Sequence, residues 1–137
     1  MTIVWRPNMA IGDATVDADH QQLIALINSV ELTLQAAGGR GALTAILDQL
    51  AAYTKEHFDR EEGLMRRTGY GGLEHHREAH RDLRLRFGTI RTTIEATSDA
   101  SVPAQEIEGL IAVLRHWLLD HVFKEDMKLK AFLNRPG

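Results

Sequence analysis

Apolar residues recur every three or four positions along four stretches of the chain, which is the period of an amphipathic α-helix. In the first stretch the apolar line runs from Val16 through Leu23 and Ile27 to Val30. Segments rich in glycine or proline interrupt the pattern at 38–41, 68–72 and 98–103. No alternating strand pattern competes with it. We therefore predict four helices, at roughly 15–37, 42–68, 72–97 and 102–133.

The connections between these helices are short, and short connections favour antiparallel neighbours. The pattern thus predicts an all-α fold, an up-down-up-down four-helix bundle. Residues 1–13 show no clean period, so we expect an extended N-terminal arm packed over the bundle. Ser101 as an N-cap and Pro103 in the first turn mark the predicted start of the fourth helix. A chain of 137 residues is expected to form a single domain, 1–137.

The composition narrows the classes of function. The chain has no cysteine, which excludes disulfides, iron–sulfur clusters and thiolate metal sites. The net charge of −3 differs from the positive charge that is typical of nucleic-acid-binding domains. The opening MTIVWRPNMA does not resemble a secretory signal, and no apolar run approaches the roughly 20 residues of a membrane span. We expect a cytoplasmic protein that neither enters a membrane nor binds nucleic acid.

Seven polar residues continue the apolar lines of the predicted helices, where a polar group is costly unless it finds a strong partner. Several are four residues apart and therefore share a helical face. They are His20, His57, Glu61, His76, His80, His121 and Asp126. A cluster of imidazoles and carboxylates inside a helical core predicts a metal site.

The number of donors indicates more than one ion. Zinc takes about four ligands, fewer than this cluster offers. Two octahedral ions would use five imidazoles, two bridging carboxylates and a bridging oxygen, with one coordination position left open. Such a position on a redox metal suits a diatomic ligand. Nitrogen and oxygen donors suit iron, although they do not exclude manganese, cobalt or zinc.

The donor on the last helix is ambiguous. His121 and Asp126 are five residues apart, which a regular helix separates in angle, whereas Glu125 lies four residues on. Asp126 instead shares a stripe with Val122 and Leu129. Its use would need a wide, π-like turn or an approach to the metals from adjacent faces.

Other polar residues near these positions fit an ordinary solvated surface. His75 and His116 lie off the main apolar lines, and we expect both to be solvated. Glu62 and Glu125 are expected to be surface carboxylates.

Four segments, VDADH, HFDREE, EHHREAH and WLLDHVFKED, resemble signatures of the hemerythrin family in the family's order, and specifically those of single-domain bacteriohemerythrins. The resemblance covers nearly the whole chain. It implies two iron ions with a bridging oxo or hydroxo group. One iron would be bound by His76, His80 and His121. The other would be bound by His20 and His57, with Glu61 and Asp126 bridging both, which resolves the ambiguity in favour of Asp126.

The same resemblance implies the activity. It points to reversible O2 binding, for carriage, storage or buffering, by a protein that is not an enzyme. We also expect a monomer. NO, azide or other small anions are further expected ligands. The alternatives are O2 or NO sensing and an oxidase or peroxidase, which would need a more polar pocket. The implied oxygen pocket is apolar and consists of Leu23, Phe58, Trp117, Leu118 and Val122. This chain departs from the family at Leu129, where many members carry tyrosine.

Overall fold

The computed structural model describes residues 3–35, 40–96, 109, 112, 114–116 and 119–134. Its three long helices are α1 (Ala14–Gln35), α2 (Arg40–Thr68) and α3 (Leu73–Glu95). A fourth helical stretch contains residues 114–116 and 119–120, becomes π-helical over His121–Asp126 and ends as α4, Met127–Leu133. The described residues contain no strand, and the predicted four-helix bundle is confirmed. The expected helix start at Ser101 and Pro103 lies outside the described residues.

Contrary to the prediction, the N-terminal arm is not extended over its whole length. A short 3-10 turn covers Pro7–Met9, because proline at the first position fixes a helical φ. Farther upstream, the backbone N–H of Ile3 donates to Asn28 and the Asn28 amide donates back to the Ile3 carbonyl, both at 2.8 Å. The arm is thereby fixed along α1.

Local hydrogen bonds cap the start of α1 and the end of α2. The Asp13 carboxylate accepts from the Val16 N–H at 3.0 Å and caps the start of α1. At the end of α2, Gly69 adopts φ +72°, a left-handed conformation that glycine tolerates best. The Tyr70 N–H then donates to the Met65 carbonyl at 2.9 Å, as in a Schellman motif. This turn directs the chain back into α3.

Two apolar clusters fill the bundle, one toward each end. The first contains Leu23, Ile27, Val30, Leu43, Leu47, Leu50, Ile90 and Leu114. The second contains Ile11, Val16, Met65 and Leu129. Along α1 and α2 the chain leaves one cluster, passes a short polar interval and enters the other. The buried polar layer that results is bounded by apolar packing on both sides.

Within the described residues, no helix has both the length and the apolarity needed to cross a membrane.

Candidate metal centre

The structure brings all seven predicted donors into the polar layer between the two apolar clusters. The pair on α2, His57 and Glu61, shares one face, as does the pair on α3, His76 and His80, because each pair is four residues apart. Exposure of the seven ranges from 0 % for Glu61 to 5 % for His121. Groups this polar are rarely buried so completely without a strong partner.

The donors form two groups, in each of which the ligand atoms lie within 4.8 Å of one another. The larger group comprises Glu61, His76, His80, His121 and Asp126. The smaller group comprises His20, His57, Glu61 and Asp126. The two carboxylates belong to both groups, and the histidines divide three to two.

The two oxygens of Glu61 face different groups. Oε1 lies 2.5 Å from Nε2 of His76 and 3.2 Å from Nε2 of His80. Oε2 lies 3.5 Å from Nε2 of His20 and 3.3 Å from Nε2 of His57. One carboxylate therefore presents one oxygen to each set of imidazoles, which is the arrangement that a bridging ligand requires.

Asp126 divides its oxygens in the same way. Oδ1 lies 2.9 Å from Nε2 of His76 and 3.1 Å from Nε2 of His121. Oδ2 lies 2.8 Å from Nε2 of His20. Both carboxylates thus lie between the two groups of histidines.

Many of these buried atoms are close together without being hydrogen-bonded. Among the described residues, no hydrogen-bond partner is found for both ring nitrogens of His20 and His76, Oε2 of Glu61 and both carboxylate oxygens of Asp126. Leaving a buried polar atom without a partner costs about 1–3 kcal/mol. Cations placed between these atoms would satisfy them, so the residues present fit a metal centre.

The π-helical segment explains why Asp126, and not Glu125, joins the cluster. Its wider turn brings residues five apart toward one face, so that both His121 and Asp126 point inward. Glu125 is 18 % exposed and lies 3.3 Å from the exposed His75. His75 and His116 both lie at the surface, as the sequence predicts.

The carboxylates shift the titration of the imidazoles in the metal-free protein. Burial alone would lower the pKa of a histidine, because it penalises the charged form. The neighbouring Asp126 and Glu61 outweigh burial and raise the pKa of His20 to about 9 and that of His76 to about 9. They raise the pKa of His121 to about 10. A metal would therefore have to displace protons from these rings.

The carboxylates themselves stay ionised. Burial would raise the pKa of Glu61, but the nearby imidazoles, His121 first among them, hold it well below its ordinary value. Burial and the Glu61 charge act in the same upward direction on the pKa of Asp126, yet His121 and His20 keep it below its ordinary value. For His80, burial and the charge of His121 lower the pKa in spite of the contact with Glu61. His80 is thus the donor that is most easily neutral.

Sequence analysis missed Asp19, which is only 4 % exposed. Its carboxylate lies 3.0 Å from Nδ1 of His57 and accepts from Nε and Nη2 of Arg60, both at 2.8 Å, and from the Tyr53 hydroxyl at 2.8 Å. Burial would raise the pKa of Asp19, but these hydrogen bonds hold it well below its ordinary range. The three partners of Asp19 on α2 lie at positions i, i+4 and i+7 and therefore share one face of the helix. This spacing was the feature of the sequence from which their shared contact could have been predicted.

The expectation that Glu62 is a surface carboxylate is wrong. Its Oε2 lies 2.9 Å from Nδ1 of His80, and its side chain is only 16 % exposed. Nε of Arg77 lies 3.3 Å from the other carboxylate oxygen. Glu62 follows Glu61 directly in the sequence but contacts the same histidine from the opposite side of the ring.

A cavity of about 400 Å³ reaches the cluster and is lined by His20, His57 and His121. Leu23 and Phe58, both predicted for the oxygen pocket, lie in its wall. Further apolar wall residues that sequence analysis missed are Ile27, Leu50, Leu83, Phe87 and Leu114.

The other predicted pocket residues cannot be placed. Trp117 and Leu118 lie outside the described residues, and so does the side chain of Val122. Leu129, where many relatives carry tyrosine, is fully buried in the apolar cluster with Ile11 and Met65.

Comparisons with known proteins agree with this geometry. Residues 12–133 match the family described as hemerythrin HHE cation binding domain. A bacteriohemerythrin of Stenotrophomonas maltophilia is 28 % identical over 137 residues, which cover 97 % of this chain and 85 % of that protein. A bacteriohemerythrin of Campylobacter jejuni is 27 % identical over 124 residues, which cover 90 % of each chain.

The fold is similar to a crystal structure of wild-type hemerythrin, with a TM-score of 0.81 and 24 % identity, covering 98 % of this chain and 100 % of that one. The family match spans most of the chain and includes every donor of the buried cluster. This protein belongs to the hemerythrin family.

Proposed function

We propose that this protein binds O2 reversibly at a di-iron centre, for carriage, storage or buffering. One iron would be held by His76, His80 and His121, and the other by His20 and His57. Glu61 and Asp126 would bridge the two ions, together with an oxo or hydroxo group. The open coordination position for O2 would lie at the iron with two histidines. O2 binding is the activity for which the hemerythrin family is known.

The division of the carboxylate oxygens carries this proposal. Oε1 and Oε2 of Glu61 approach different histidines, and so do Oδ1 and Oδ2 of Asp126. A single ion would gain nothing from this division, whereas a pair of ions uses all four oxygens. When bound, two irons supply the two electrons that O2 accepts reversibly.

The cavity beside the donor groups supports a binding protein over an enzyme. Leu23 and Phe58 give it an apolar wall. The hydroxyl of Thr54, also in the wall, donates to the Leu50 carbonyl at 2.7 Å and is therefore already satisfied. The apolar part of the wall excludes water from the neighbourhood of the donor groups, which favours release of O2 over further reduction.

Lys55, Arg84 and Arg91 also line the cavity. Lys55 pairs with Asp59 at 3.4 Å and Arg91 with Asp48 at 2.6 Å, and we propose azide and NO as further ligands. We also propose a cytoplasmic monomer. Light scattering after gel filtration, and cell fractionation, test these two points separately.

Absorption spectroscopy of the iron-loaded protein tests the proposed function. Reduced protein should gain a visible charge-transfer band on exposure to O2 and lose it again on degassing, through repeated cycles. A band that forms once and does not reverse would contradict reversible binding. Steady O2 consumption with a reductant would favour the oxidase instead.

A further inference from the structure

One histidine of the smaller donor group contacts an ionised carboxylate through the ring nitrogen that faces away from the donor cluster. Nε2 of His57 faces Glu61 at 3.3 Å, while Nδ1 lies 3.0 Å from Oδ2 of Asp19 on the neighbouring helix. The guanidinium of Arg60 donates to both oxygens of Asp19 and fixes that carboxylate in place. The Tyr53 hydroxyl completes the set.

The other donor group has a looser counterpart. Nδ1 of His80 lies 2.9 Å from Glu62, which Arg77 contacts at 3.3 Å. Glu62 is more exposed than Asp19, with side-chain exposures of 16 % and 6 %. Among the described residues, Nδ1 of His20 and Nδ1 of His76 have no such partner. Of these four histidines, His57 has the firmest support, and it belongs to the group that has fewer histidines.

We infer that Asp19 is a positioning residue that controls how firmly the metal in the two-histidine group is held. By accepting a hydrogen bond from Nδ1 of His57, it fixes the tautomer in which the Nε2 lone pair faces the ion. The negative charge of Asp19 also makes Nε2 a stronger donor. This inference rests on the proposed function, since it requires an ion at each donor group.

Arg60 and Tyr53 give Asp19 a fixed orientation, which a carboxylate with one partner would lack. His57 is one of only two histidines in its group. A change in its donor strength therefore affects a larger share of that ion's binding than the same change would in the group with three histidines. Loss of such a partner behind a ligand typically weakens metal binding about 10- to 100-fold.

The test compares iron release to a chelator from wild type, Asp19→Ala and Asp19→Asn, each loaded anaerobically with ferrous iron. In Asp19→Ala, one iron per chain should leave about 10- to 100-fold faster, and the second at close to the wild-type rate. Asp19→Asn keeps an oxygen that can accept from His57, so its acceleration should be smaller.

Two control variants separate positioning from a general loss of stability. Glu31→Gln removes another buried carboxylate that contacts an arginine, Arg115, away from the donor groups. It should lower the melting temperature without changing either release rate. Glu62→Gln should accelerate release of the other iron.

The outcomes are distinguishable. Wild-type protein that never holds two irons contradicts the proposed function itself. If wild type holds two irons but both Asp19 variants release them at wild-type rates, or accelerate both equally, the positioning role alone is wrong. Should Asp19→Ala fail to fold, Asp19→Asn decides by the same criterion.

Discussion

His76 and Asp126 come from different helical elements, yet Nε2 of the one lies 2.9 Å from Oδ1 of the other, and neither atom has a hydrogen-bond partner in the described structure. Nε2 of His20 and Oδ2 of Asp126 repeat this relationship at 2.8 Å. In both cases a ring nitrogen and a carboxylate oxygen lie close enough to share a proton or a metal ion. Two such atoms can share a third partner, and a metal cation suits them because it accepts an electron pair from each.

Substitution of Asp126 tests the choice between the two adjacent acidic residues. Asp126→Asn removes the buried charge of a proposed bridging ligand, and we expect the protein to keep at most one iron per chain. Glu125→Gln is the matched control, because the half-buried Glu125 contacts the exposed His75 and lies outside the donor cluster. It should retain two irons. Iron analysis after gel filtration measures both, and the reverse result would place the bridge at Glu125.

The metal-free protein should lose stability as the pH rises from about 6.5 to 9. The folded-state pKa of His20 is raised to about 9 and that of His121 to about 10. A raised pKa adds stability that is complete below the unfolded value, about 6.5, and is lost as the pH passes the folded value. One kcal/mol shifts the melting temperature of a domain of this size by roughly 3–6 °C. We therefore expect a fall of at least about 5 °C.

Acid should weaken the metal-free protein for the opposite reason. The pKa values of Glu61 and Asp126 are lowered, so their contribution is present above about pH 4 and is lost as the pH falls further. Thermal melts followed by circular dichroism from pH 3 to pH 9.5 would record the loss of stability at both ends of this range. A melting temperature that is level or rising between pH 6.5 and 9 would contradict these shifts.

The same protonation predicts that iron binding releases protons. Ligation needs neutral imidazoles, so ferrous iron added at pH 7 must displace the protons of His20, His76 and His121. Addition of iron to weakly buffered, oxygen-free protein should acidify the solution by more than one proton per chain. A pH indicator measures the release, and iron-loaded protein should melt at a higher temperature than metal-free protein.

The apolar wall of the cavity should protect bound O2 from water and protons. We expect Leu23→Asn to accelerate autoxidation several-fold, because an amide in the wall admits water next to the open coordination position. Leu43→Asn is the matched control, since Leu43 is equally buried but does not line the cavity. It should cost comparable stability and leave autoxidation unchanged. Decay of the O2-dependent band measures both rates.

The turn between α2 and α3 offers a test of the fold alone. Gly69 has φ +72°, where an alanine side chain costs about 1–2 kcal/mol. Gly69→Ala should therefore lower the melting temperature by several degrees. Gly71→Ala is the control, because its φ is not left-handed and, apart from its chain neighbours, no atom of the described residues lies within 4 Å of the added Cβ. It should change stability by less than about 0.5 kcal/mol.

Periodicity was sufficient to predict the bundle and most of the side chains that come together, whereas the family was indicated by the resemblance of four segments to its signatures. His57 with Glu61, and His76 with His80, continue apolar lines at a spacing of four, so a regular helix already sets their direction. The spacing of five between His121 and Asp126 could not be decided in this way. The π-helical turn depends on the packing of that segment against its neighbours, and periodicity contains no information about such packing.

The carboxylates behind the histidines could not be predicted from single helices. Asp19 precedes one donor, His20, but supports another, His57, on a different helix. That pairing depends on how α1 and α2 are rotated against each other. Glu62 was overlooked because an acidic residue next to arginines usually marks a solvated surface, whereas here it contacts His80.

X-ray absorption spectroscopy at the iron edge, combined with iron analysis of the same anaerobic sample, tests the central claim most directly. We predict two irons per chain, a shell of nitrogen and oxygen neighbours rich in imidazole, and a distinct iron–iron scattering distance. One iron per chain, or two irons without that distance, would contradict a centre in which Glu61 and Asp126 join a pair of ions.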